Sequence, residues 1–149
     1  MDFRLAVHFP NAAGVEIMNV ASHPAPVVDD AFMARFFDAW KRKSVEDIIS
    51  MVTDDAVLES AFGPDVYGKR FVGKKAFAEG IVRFYDALKD ASTTDRTYAI
   101  MGDKGFTEVT LSYTSPDGRR ITARVCDLFD FRDGKVASKR AYGKRVVAD

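Results

Sequence analysis

Cysteine occurs once and histidine twice in these 149 residues, and those scarcities exclude whole classes of chemistry. A single thiol, Cys126, rules out an intramolecular disulfide and any multi-cysteine metal site. Set between Val125 and Asp127 in what reads as a strand, it is expected to be a buried, inert thiol. His8 and His23 both fall in the first 28 residues, far in sequence from the acidic positions. A histidine metal cluster, a Ser-His-Asp triad or a Cys-His pair therefore has little to draw on. Excess charge is missing too: 22 Lys and Arg balance 22 Asp and Glu, so no global field draws in DNA, RNA or an anionic membrane. No apolar run approaches the ~20 residues of a membrane span. The first ten residues lack a basic region followed by an apolar stretch, and the expected location is the cytoplasm. The glycines are scattered, with no phosphate-cradling loop ahead of a helix, so no cofactor is expected.

What is present is 47% hydrophobic residues, enough for one compact domain with a sizeable core. Residues 1–28 read as an N-terminal extension with short strands at 3–9 and 15–20 and a proline-containing linker, and 29–149 as the domain. Phe32, Met33, Phe36, Phe37 and Trp40 recur at helical spacing from Asp29 onward. Ser44 is placed to cap a short second helix burying Val45, Ile48, Ile49 and Val52, which Asp54-Asp55 then breaks ahead of a strand over 56–60. Loop residues lead to a third helix over 74–89, with Phe77, Ile81, Phe84, Tyr85 and Leu88 inward. Everything beyond reads as strand: 98–101, 106–115, 120–132 and 135–147, joined by turns at Gly102, Ser115-Pro-Asp-Gly118 and Asp133-Gly134. Strands longer than the usual ~6 residues imply a strongly curved sheet. Helices first and a meander last define an α+β fold.

Within 120–132, alternation puts Val125, Asp127, Phe129 and Phe131 on one face. A carboxylate among three hydrophobes must find a partner or stay protonated, which makes Asp127 a candidate for proton chemistry. The partner depends on the turn. A two-residue Asp133-Gly134 loop puts Asp127 opposite Arg140, and a three-residue loop with Gly134 as a bulge puts it opposite Lys139. The bulged register is favoured, because it sets Ala137 and Ala141 beside Lys139 on the Asp127 face and leaves room for a cavity. A structural ion pair is the alternative to a catalytic one. Tyr113 shares a face with Val109 and Leu111 and offers a hydroxyl to the cavity. Tyr85, Tyr67 and Trp40 are candidates for its wall, and plain core is their other reading. Lys69 and Arg70 read as rim charges open to an acidic substrate or simply to solvent.

The order of elements, with Phe36-Phe-Asp-Ala-Trp40, Met51 to Glu59, Gly73-Lys-Lys-Ala-Phe77 and Cys126 to Val136, resembles the SnoaL-like and ketosteroid-isomerase-like families of the nuclear-transport-factor-2-like superfamily over roughly residues 29–147. The resemblance implies a cone: a curved, mixed but mostly antiparallel sheet wrapped around three N-terminal helices, with a deep apolar pocket and often a dimer through the outer sheet face. It puts Asp127 where steroid isomerases keep a pocket aspartic acid and several cyclases keep a general acid/base. It also sets Lys139 at a pocket position on the final strand and turns Ser60 inward, with Glu59 toward a helix or dimer contact. Two positions depart from the isomerase site, Phe36 standing for the oxyanion-hole tyrosine and Ser60 for the base. The epoxide-hydrolase pattern fails as well, since Val125 replaces its arginine and Ala141 and Gly143 supply no acid.

The leading expectation is a cofactor-independent acid/base enzyme, an isomerase, lyase/dehydratase or aldol-type cyclase, working with Asp127 and Lys139. Its ligand would be a small hydrophobic aromatic or polyketide-like compound held by Phe36, Trp40, Ser60, Tyr85, Tyr113, Val125, Phe129 and Ala141. The expected assembly is a homodimer. Neither nucleic acid nor a membrane is an expected partner. A ligand-binding or assembly module without chemistry is the alternative, and an interaction domain is a third reading that needs an exposed apolar surface.

Overall fold

Asp29 accepts a hydrogen bond from the Phe32 amide at 2.8 Å and so caps α1 (Asp30–Lys41), satisfying one of the donors that open every helix. The computed structural model describes residues 28–145, so the strands expected at 3–9 and 15–20, both histidines and the last four residues lie outside the described part. α1 buries Phe32, Met33, Phe36 and Ala39 along one stripe. Lys43, with φ of 58°, reverses the chain into Ser44, whose hydroxyl caps α2 (Val45–Ser50). Val52, expected on that helix, opens β1 (Val52–Glu59) instead.

β1 begins four residues before the expected start, and Asp54-Asp55 lies inside it rather than breaking the chain. The pair is exposed and costs little to solvate, while Val52, Ala56 and Leu58 are buried. Its strand geometry is imposed by pairing with β6, seen in Val52 opposite Val136 and in the Val136 amide donating to the Met51 carbonyl. β2 (Arg70–Val72), expected as loop, is a short edge strand antiparallel to β1. α3 (Lys74–Ala87) follows, burying Phe77, Gly80 and Ile81. A Cβ on Gly80 would come within 2.8 Å of both Leu58 and Phe71, so glycine here permits the close approach of helix to sheet.

The chain then runs through β3 (Ser92–Met101), β4 (Lys104–Thr114), β5 (Arg120–Arg132) and β6 (Lys135–Arg145). The sheet order is β2-β1-β6-β5-β4-β3, with only the β1–β6 pair parallel. β3 starts six residues earlier than expected, because its first half is polar, exposed and interrupted by a bulge between Thr94 and Thr97, which hides the alternation. One face of the sheet meets the helices in a core centred on Phe36, Phe77, Phe129, Met33, Ile48 and Val136. This is the expected α+β architecture.

The β5–β6 hairpin follows neither expected register. Arg132 pairs with Lys135 across a two-residue turn, and Asp133 and Gly134 both have positive φ, the geometry that matches strand twist. A bulge one residue inside the hairpin then sets Phe131 opposite Val136 but Asp130 opposite Ser138. The extra residue on β6 carries the register onward, so Asp127 lies opposite Ala141, while Lys139 lies opposite Phe129.

Candidate functional site

The inner face of β5 changes character along its length. Phe131 and Phe129 are buried, Asp127 is 9% exposed, and Val125 is half-buried. Asp127 thus sits where the packed core gives way. Lys139 is its diagonal neighbour, and its Nζ lies 2.7 Å from Oδ1, with each side chain 12% exposed. The approach is bent enough that Oδ1 has no well-aligned hydrogen bond among the described residues. The pair is therefore held by charge with acceptor capacity left over. Beneath the ammonium lies the Trp40 ring, its centroid 5.1 Å from Nζ, a cation–π contact that helps to seat a cation away from water.

Aromatic residues form the floor. Phe36, 1% exposed, packs edge-on against Trp40 and Phe129, with centroids 6.2 and 5.9 Å apart. Tyr85 packs on Trp40, donates its hydroxyl to the Trp40 carbonyl at 3.0 Å, and has its pKa pushed up to about 12 by burial. It is a neutral anchor. Ala141 faces Asp127 directly, and Val125 lies opposite Gly143 one step further out.

Other expected lining residues lie elsewhere. Tyr113 is six positions along β4 from Thr107, the residue opposite Asp127, which is about 20 Å of strand and beyond contact. The Ser60 hydroxyl is engaged by the loop that follows it, donating to the Phe62 carbonyl at 2.6 Å and accepting from the Lys69 amide at 2.8 Å. Glu59 is buried and paired with Arg70 at 2.7 Å across β1 and β2. Arg70 also covers the ring of exposed Tyr67, 4.3 Å from its centroid. Cys126 lies half-buried on the outer face, opposite Glu108 and Tyr142, rather than fully enclosed, and its pKa is raised by burial.

One charged group near the pair escaped the sequence reading. Arg96 follows Asp95 in the β3 bulge, and Asp95 takes the left-handed conformation, with φ of 53°. The Arg96 guanidinium lies over the Phe37 ring, 4.2 Å from its centroid, and reaches toward Thr107 Oγ1 and Thr93 Oγ1 at 3.4 and 3.3 Å. Burial lowers its pKa, and the negative charge of Asp127 partly restores it. The available signal was the Thr-Thr-Asp-Arg-Thr run, with an aspartate that tolerates left-handed backbone inside an extended segment.

Among the described residues, no three His, Cys, Asp or Glu side chains gather as a metal site, and no helix is long and apolar enough to cross a membrane. A separate open groove of about 320 Å³ lies at the β5–β6 hairpin tip, lined by Thr53, Asp54, Asp55, Arg132, Asp133 and Lys135.

A six-stranded mixed sheet packed on three helices is the architecture of the NTF2-like proteins. The model of the SnoaL-like domain matches residues 33–139, and the chain belongs to that family. Solved structures agree at the level of fold. A proposed isomerase from Bacillus subtilis is 19% identical, with a TM-score of 0.63 over 76% of this chain and 84% of its own. A proposed polyketide cyclase from Xanthomonas campestris is also 19% identical, with a TM-score of 0.64 over 75% and 87%. The epoxide hydrolase/cyclase-like enzyme SalBIII, associated with pyran ring formation in salinomycin, is 20% identical, with a TM-score of 0.60 over 76% and 88%. Neighbours of unknown function are found beside them, such as one from Burkholderia pseudomallei with 13% identity and a TM-score of 0.65 over 76% and 88%. Among curated proteins the chain has no sequence match.

Proposed function

We propose that the protein is a cofactor-independent acid/base enzyme acting on a small aromatic or polyketide-like carbonyl compound. The observation that carries this reading is a carboxylate and an ammonium 2.7 Å apart on an aromatic floor, at the outer limit of the core. Asp127 removes a proton from the carbon beside a substrate carbonyl, and the Lys139 ammonium offsets the negative charge that develops on the carbonyl oxygen. The proton held by Asp127 returns at another carbon in an isomerisation. In a dehydration it leaves with a hydroxyl as water, and in an aldol-type closure it goes to the oxygen of the carbonyl attacked. All three share the same first step. Relatives of the same fold named for isomerase and cyclase activity are consistent with it.

The test is a panel of aromatic and polyketide-like carbonyl compounds incubated with wild type, Asp127→Asn and Lys139→Met, read by thermal shift and by mass spectrometry of each mixture. Conversion by wild type and binding without conversion by Asp127→Asn is the expected result. Equal binding by all three proteins without conversion would instead identify a ligand-binding module.

We also propose a homodimer through the outer face of β4, β5 and β6. There Leu128 and Tyr142 are exposed and Phe106 stands opposite Leu128, so apolar groups face outward from a sheet centre.

A further inference from the structure

Charge does not balance around the Asp127–Lys139 pair. Asp127 contributes one negative charge, Lys139 one positive, and Arg96 a second positive a short distance away. Thr107, whose hydroxyl accepts from Arg96 at 3.4 Å, is the direct cross-strand neighbour of Asp127, and facing residues in such a pair lie about 5 Å apart. Thr107 is itself 1% exposed, whereas Arg96 is exposed on the polar half of β3, so the guanidinium stands at the rim and reaches in to the neighbour of Asp127. Lys139 already occupies Asp127. Arg96, like Arg35, Arg83 and Arg145, has no carboxylate within ion-pair distance among the described residues, and of these four it is the one in contact with Thr107 beside Asp127. Partial burial lowers its pKa, and the charge of Asp127 offsets this only in part.

The way Arg96 is held indicates what would complete it. Its flat face is taken by the Phe37 ring, which fixes the plane and leaves the N–H edge to recognise a ligand. That edge meets only two threonine hydroxyls at 3.3 and 3.4 Å, long contacts that a stronger acceptor readily displaces. A guanidinium edge of fixed plane matches the two oxygens of a carboxylate. Under Lys139, the Trp40 indole N–H is buried without an acceptor among the described residues, a second donor left unused. The β3 bulge at Asp95 accepts left-handed backbone on a non-glycine residue at the point where the chain enters Arg96.

We propose that the ligand of this site is an anion, an aromatic or polyketide-like compound bearing a carboxylate that docks on the edge of Arg96 while its reactive carbonyl faces Asp127 and Lys139. This rests on the reading of the Asp127–Lys139 region as a ligand site, and it makes Arg96 the residue that selects for charge. Arg96 orients substrate and moves no proton.

The experiment is isothermal titration calorimetry of 2-naphthoate and its neutral methyl ester with the full chain, as wild type, Arg96→Met and Arg96→Lys. Wild type should bind the carboxylate at least about tenfold more tightly than the ester, a preference that weakens with added salt. Arg96→Met should lose that preference and keep its affinity for the ester, and Arg96→Lys should recover part of it. Ester bound as tightly as carboxylate by wild type, an unchanged preference in Arg96→Met, or no binding of either compound by wild type would each overturn the proposal. Should Arg96→Met fail to fold, the wild-type comparison and its salt dependence decide alone. Failure here is distinct from failure of the acid/base reading, because a neutral compound converted by wild type and not by Asp127→Asn would retain the enzyme and remove the anion.

Discussion

At the scale of single residues, function and stability pull on the same two side chains. Removing Lys139 leaves the Asp127 carboxylate with its nearest cation gone while the side chain is 12% exposed. Lys139→Met should therefore destabilise the fold by on the order of 3 kcal/mol at neutral pH, measured by denaturant titration. Asp127→Asn is the cleaner probe of chemistry, because the amide keeps the shape and removes the proton acceptor. It should cut turnover by roughly 10²- to 10⁴-fold while costing less stability than Lys139→Met, because the amide oxygen can still accept from the Lys139 ammonium, whereas a loss as large as that of Lys139→Met would mark a structural pair. The proximity of Asp127 and Lys139 was legible only through a choice of register, since alternation fixes the face of Asp127 while the unbulged hairpin would have set Arg140 on it. Arg96 was not legible, because its inward direction depends on a bulge whose first residue is aspartate in place of the usual glycine.

At the scale of elements, the β5–β6 hairpin shows where pattern reading stops. The turn sequence specified the loop, but the register also depends on an extra residue that β6 accommodates inside the strand, between Val136 and Ser138. Shifting the pairing of Asp127 from residue 139 to residue 141 preserves the face because the shift is even, so the site survived an error in its register. On the outer face of this hairpin, burial opposes ionisation of Asp130. Hydrogen bonds from Lys104 and Ser138 and the charge of Arg140 outweigh it, leaving the pKa below the ordinary value of 3.8. A depressed carboxyl contributes stability that is present above 3.8 and lost as pH falls through the lowered value. The melting temperature of wild type should thus fall more steeply below 3.8 than that of Asp130→Asn. Coincident slopes in a pH series of melts would remove Asp130 from the acid response. Gly105 on β4 is a second such point. A Cβ there would meet the Phe131 ring at 2.8 Å and the Ala99 carbonyl at 2.9 Å, and the carbonyl belongs to a paired strand that cannot withdraw. Gly105→Ala should cost about 1–3 kcal/mol in the same denaturant assay.

At the scale of the whole molecule, the helices and the long strands of the sheet follow from hydrophobic period and turn chemistry, and the family resemblance read from four short segments agrees with the family model. β2 and the first halves of β1 and β3 were hidden because each is polar or short and is ordered by a neighbouring strand rather than by its own pattern. The proposed dimer is a whole-molecule claim. Size-exclusion with light scattering should give twice the chain mass for wild type and a shift toward monomer for Leu128→Asp, since a carboxylate at the centre of the proposed contact would have no partner. A monomeric wild type would leave the outer apolar face unexplained. The central claim is that Asp127 performs chemistry, and it is tested most directly by mass spectrometry of a carbonyl-compound panel after incubation with wild type and with Asp127→Asn. The account predicts at least one compound changed by wild type and returned intact by the variant. A compound converted equally by both, or bound by both and converted by neither, would contradict it.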